Sequence, residues 1–229
     1  MQGQAMGLLV TKPQAFADIL VHHPYDFAKF ETVRKFLRPI LGDGLVIVEG
    51  DRHKFLRKNT QPAFKYGHIK ELYPVMWEKA VALSDLLSEK VRSGDSEIEM
   101  GAWAGKVTLD VIGIAAFGRE LHVLRNPDNP LVKNYTDLLE PGGAKTAYFF
   151  LTLFFPRSLI DLLPWKVSRM FNETTANIRA ICAQFVRDKK EAVAKNADDN
   201  FDILSLLIKS NNFSESEMVD QLLTFLTAG

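Results

Sequence analysis

Helical spacing of apolar residues governs nearly all of the chain after Asp51 and leaves little room for a sheet. Val75, Met76, Ala80, Leu83, Leu86 and Leu87 recur at three- and four-residue intervals, which predicts a helix over 73–92 ended by Ser93-Gly94-Asp95. Residues 99–117 repeat the pattern and Gly118 stops them, since glycine readily takes the conformation that closes a helix. The breaks at 126–130 and 196–200 then separate helices expected over 167–195 and 201–210. Ser214 and Glu217 stand at capping-box spacing, so a last helix is expected to start there and run to Gly229. Before Asp51 the elements are shorter. Residues 6–11 read as a brief strand, and Pro13 reads as a helix start with Ala15, Phe16, Ile19 and Leu20 on one side. The segment 22–27 is punctuation, 32–40 is a second helical stretch, and Gly42-Asp43-Gly44 is a tight turn before the apolar 45–48. Asp51 is expected to cap a basic helix reaching about Pro62. The fold class is mainly α with a minor β element, in a single domain without repeats or linkers.

With 47% apolar residues the chain buries a core rather than remaining disordered. Its 28 basic and 28 acidic residues cancel, so nothing global draws it to nucleic acid. Cys182 is the only cysteine, which excludes a disulfide framework and every multi-cysteine metal site. The N-terminal residues show neither a signal sequence nor a membrane anchor. Sequons at Asn134, Asn172 and Asn212, without a secretion signal, read as chance matches. The apolar helical ending at 225–229 reads as a chain cut in mid-core.

Two segments invite chemistry. Residues 51–70 carry Arg52, Lys54, Arg57, Lys58, Lys65 and Lys70 against one acid, so this stretch must face an anion or solvent. Within it His53 and Arg57 are four apart, on one helical face, where they could clamp a carboxylate or phosphate. Residues 144–165 form the most hydrophobic window, rich in phenylalanine and ending in Trp165. Core packing explains that window, and so does an interfacial element with Arg157 and Trp165 at headgroup level. Other residues point nowhere: Gly42-Asp43-Gly44 lacks phosphate-loop spacing, His22 and His23 diverge, and Cys182 lies in an apolar helix as an inert thiol.

Four of these segments, in this order, resemble the N-terminal half of the cytochromes P-450, the haem-thiolate monooxygenases, in their eukaryotic microsomal and fungal form. Residues 8–20 resemble the family's early strand and helix B, 42–64 its B-C loop and helix C, 109–118 its helix E, and 218–229 the first half of its helix I. The resemblance implies the N-terminal portion of that fold, a single incomplete domain over 1–229, truncated within helix I.

The same resemblance implies haem as cofactor and assigns residues to it. His53 takes the Trp position and Arg57 the Arg position of a helix C pattern that binds a haem propionate, and imidazole keeps a donor there as indole does. Ala228 and Gly229 would lie against the haem, while Val46, Thr227 and Ala228 would line the pocket for a lipophilic small-molecule substrate. The basic helix 51–65 would face a flavin reductase, and 144–165 would correspond to a segment in contact with membrane. Localisation would be the cytosolic face of the endoplasmic reticulum. The acid-alcohol pair, the helix K pair and the cysteine loop that ligates iron are absent, so a fragment inactive on its own is expected. The rival reading is a non-enzymatic, helical, membrane-associated or interaction module resting on the Phe-rich window.

Overall fold

The computed structural model describes residues 9–94, 97–126, 128–139, 143–155, 157–160, 166–195 and 202–228. Its helices are α1 Pro13–Ala17, α2 Glu31–Leu41, α3 Gly50–Thr60, α4 Tyr66–Glu71, α5 Tyr73–Arg92 and α6 Met100–Phe117, followed by α7 Pro130–Leu139, α8 Gly143–Phe154, α9 Arg157–Ile160, α10 Lys166–Ala194, α11 Ile203–Ser210 and α12 Glu215–Ala228. A π-turn at Asp18–His22 extends α1, and a 3-10 turn at Gln61–Phe64 follows α3. The chain is mainly α, as its periodicity predicts. The minor β element is not seen among the described residues: 9–12 run as irregular backbone into α1, and 6–8 lie outside them. A strand needs a partner for its backbone groups, and no ladder forms here.

The element boundaries follow local chemistry. At the start of α12 the Ser214 hydroxyl accepts from the Glu217 amide at 3.3 Å, while Glu217 Oε2 accepts from the Ser214 amide at 2.7 Å, completing the reciprocal box. Gly118 ends α6 at φ 62°, a left-handed position where a side chain would be strained. Asp202 caps α11 through the Ser205 amide at 2.8 Å and pairs with Lys189 of α10 at 2.6 Å. Asp51, expected as the cap of α3, sits inside its first turn; Glu49 holds the cap position without a capping bond. The Glu49 carboxylate is drawn away by the Lys29 amide and the Arg34 guanidinium.

The core centres on α12. Every residue from Met218 to Leu226 is buried, so the helix is enclosed on all sides rather than along one stripe. Leu222, Leu223 and Leu226 meet Leu56 of α3, Phe117 of α6, Cys182 and Val186 of α10, and Leu204 and Leu207 of α11. Each such side chain contributes about 1.5–3 kcal/mol of burial. A smaller cluster joins Ile40 and Leu41 of α2, Ile47, Tyr148 of α8, Ile160 and Phe171. Helix α6 is long and apolar enough to cross a membrane, yet it carries Asp110, 3% exposed, which accepts from the Val123 and Leu124 amides at 2.6 and 3.0 Å. Those bonds tie α6 to the turn that follows it and satisfy the buried carboxylate.

Candidate functional site

The turn at 42–48 is where sequence and packing first converge on a site. Gly42 and Gly44 lie so close to α12 that a Cβ on either would run into Asp220 or Thr224. The Asp43 amide donates to Asp220 Oδ2 at 2.9 Å and the Leu45 amide to Gln221 Oε1 at 3.2 Å, while Arg179 donates to Asp220 Oδ1 at 2.6 Å. Polar side chains in the middle of a buried helix are thereby matched to a turn that has backbone amides to offer. Val46, at the far side of this turn, is 47% exposed. Thr227 and Ala228 are exposed at the end of α12, the Thr227 hydroxyl donating to the Leu223 carbonyl at 2.9 Å. Gly229 lies outside the described residues.

His53 and Arg57 stand one turn apart on α3 and line a single cleft of about 500 Å³. Its other walls are apolar at Leu20, Val21, Pro24, Phe27 and Val48 and polar at Tyr25, Asp26, Lys29 and Glu49, the two acids being engaged by His23 and by Arg34 respectively. The Arg57 guanidinium has no ion-pair partner among the described residues. His53 Nδ1 lies 3.1 Å from the Tyr25 hydroxyl, and the two rings meet edge-on at 5.7 Å. Burial first, and then the charges of Lys29 and Arg57, hold the His53 imidazolium below its ordinary pKa. Burial likewise lowers the Lys29 pKa, and that ammonium donates to the Val46 and Val48 carbonyls at 2.7 and 2.8 Å, strapping 23–30 to the turn. Of the expected residues, His53 and Arg57 line this cleft; Val46, Thr227 and Ala228 do not, although the Val46 carbonyl is held by the cleft-lining Lys29.

Sequence reasoning missed Tyr25, Lys29, Arg34 and Glu49. Their contacts span 13 to 28 positions between irregular segments, and no periodic signal carries such pairings. The basic face of α3 is also less free than its composition implies. Arg52 pairs with Glu217 and Lys54 with Asp51, while Lys58 and Lys65 are exposed without an ion pair among the described residues. In the window 144–165, Phe150, Phe155 and Leu159 are exposed, whereas Phe149 packs against Phe36 with centroids 4.6 Å apart. Trp165 lies outside the described residues, and the side chain of Arg157 is likewise not described.

An arginine without an ion-pair partner among the described residues and an imidazole on one wall of a half-apolar cleft are suited to an apolar ligand that carries a carboxylate. The chain belongs to the cytochrome P450 family, whose model matches residues 1–229. It is 36% identical over 234 residues to cytochrome P450 monooxygenase sphH of Aspergillus fumigatus. It is 34% identical over 227 residues to cytochrome P450 monooxygenase ptmK of Penicillium ochrochloron, and 34% over 233 residues to cytochrome P450 monooxygenase FUM15 of Gibberella moniliformis. These alignments cover 99%, 97% and 97% of this chain but 43%, 44% and 39% of those proteins, so the chain spans less than half the length of the curated relatives it matches. The cofactor that membership implies is haem, and the donor set of the cleft fits its carboxylates.

Proposed function

We propose that this chain is the N-terminal portion, within a single domain, of a haem-dependent monooxygenase that inserts one oxygen atom of O2 into a lipophilic organic substrate. The observation that carries this reading is the convergence of His53 and the free Arg57 guanidinium on one amphiphilic cleft. Haem, when bound, supplies the iron at which oxygen is activated. His53 and Arg57 would hold a propionate, Arg57 by charge and His53 by a neutral N–H. Ala228 and Gly229 would lie against the ring, and Val46, Thr227 and Ala228 would face the substrate as small or apolar side chains.

An axial thiolate is not available within these 229 residues. Cys182 is fully buried and its thiol is pushed up to about 12, so it stays protonated where a ligand must be ionised. This chain alone is therefore inactive under the reading. The test is spectroscopic: the purified chain is loaded with haem, reduced and exposed to CO. The absorption band characteristic of thiolate ligation should be missing, and its appearance would overturn the assignment of Cys182.

Electrons would come from a flavin reductase docking on the basic stretch 51–65, where Lys58 and Lys65 are exposed without an ion pair among the described residues. Membrane contact, on the cytosolic face of the endoplasmic reticulum by family likeness, would run through the exposed Phe150, Phe155 and Leu159, and their exposure supports the contact with lipid. Phe150→Asp with Phe155→Asp tests that contact better than changes at Phe149, which is engaged with Phe36. Vesicle sedimentation should show the double variant losing lipid binding, and equal binding would remove the contact. The rival reading of a cofactor-free module is not favoured, because it leaves the cleft and the family match unexplained.

A further inference from the structure

We infer that Tyr25 is a positioning residue that fixes His53 as the Nε2–H tautomer, so that the imidazole presents a donor for a carboxylate held beside Arg57. This rests on the reading of the cleft as a propionate site. An imidazole, unlike an indole, is ambiguous: one ring nitrogen donates and the other accepts, and which is which depends on the partner of each. An indole in the same place could only donate. Where histidine stands instead, a partner on one ring nitrogen is needed to keep the other from offering a carboxylate its lone pair.

Tyr25 is placed to decide. Its hydroxyl lies 3.1 Å from His53 Nδ1 and has no other hydrogen-bond partner among the described residues. A phenol is a good donor and a poor acceptor, while an unprotonated imidazole nitrogen is a good acceptor. The favoured bond is O–H to Nδ1, which leaves the proton of the ring on Nε2. The phenol ring is itself held in place. Its centroid lies 5.7 Å from that of the His53 ring in an edge-on arrangement, and the Lys54 ammonium sits 4.8 Å from its centroid. Lys29, four residues along, grips the Val46 and Val48 carbonyls and anchors the segment that carries Tyr25 against the start of α3. The lowered pKa of His53 agrees, since the tautomer question arises only for a neutral ring.

The experiment has two readouts on the 229-residue chain. Long-range proton–nitrogen correlation spectra of the histidine-labelled chain at neutral pH report which His53 nitrogen is protonated. Nε2–H is expected in the parent and a mixture in Tyr25→Phe. An Nδ1–H ring in the parent, or an unchanged tautomer in Tyr25→Phe, overturns the inference. The second readout is affinity for haem against haem dimethyl ester, whose carboxylates are blocked. Tyr25→Phe should weaken preference for the free acid by about threefold to tenfold, the worth of one hydrogen bond.

In a His53→Trp background the same Tyr25→Phe change should have no effect, because indole needs no tautomer control. Equal weakening in both backgrounds would mean that Tyr25 acts only on the fold, and would overturn the inference. A parent chain that binds acid and ester alike, with His53 still Nε2–H, overturns the propionate reading while the tautomer assignment stands on the spectra.

Discussion

His53 and Arg57 were legible as a pair because four residues on a helix is a fixed geometry, and the structure turns both toward one cleft. Their partner Tyr25 was not, since a contact spanning 28 positions between a loop and a helix leaves no mark in local pattern. The lowered pKa of His53 has a measurable consequence. A group whose folded pKa is depressed binds more protons unfolded than folded, so its contribution to stability is present above the unfolded value and lost as pH falls below about 6.5. Thermal unfolding from neutral to mildly acidic pH should show the parent losing stability more steeply than His53→Gln; parallel curves would contradict the burial described for this ring. Cys182, fully buried with a thiol raised to about 12, should resist alkylation in the folded chain and react once denaturant exposes it. Rapid labelling under native conditions would show that α10 opens there.

Helix α12 is the element whose beginning was most fully readable. The spacing of Ser214 and Glu217 announced the cap, and both reciprocal bonds form. Ser214→Ala should cost about 0.5–2 kcal/mol in a denaturant titration, and a neutral result would mean that the box adds nothing to the buried helix. The tight turn before α3 was also readable, but not why it needs its glycines. Their reason lies across the fold, in Asp220 and Thr224, and only packing reveals it. Gly44→Ala should destabilise by about 1–3 kcal/mol or more through overpacking, read by the same titration; full tolerance would mean that the turn can stand off from the helix. Position 51 shows the opposite case, where a residue suited to capping by type lost the role because the chain entered the helix two residues earlier than its sequence suggests.

At the scale of the molecule, burial is uneven. Helix α12 carries an unbroken buried run from Met218 to Leu226, whereas α5, with 20 residues, buries only Lys79. Amide hydrogen exchange should therefore find α5 opening at a lower free energy than α12 and α10; equal protection would indicate a surface on α5 covered in solution. The helical class was legible because periodicity reports which face is apolar. The pairing of 23–30 with 45–49 was not, because it depends on carbonyls and one lysine rather than on any repeating pattern. One consequence concerns recombination. Asp43 reaches Asp220 over 177 positions, with Gly42 and Gly44 shaped to the same stretch of helix. A chimaera that takes the loop from one parent and the helix from another breaks a lock whose two halves were inherited together, so crossovers between them should yield fewer folded offspring than crossovers that keep both halves from one parent.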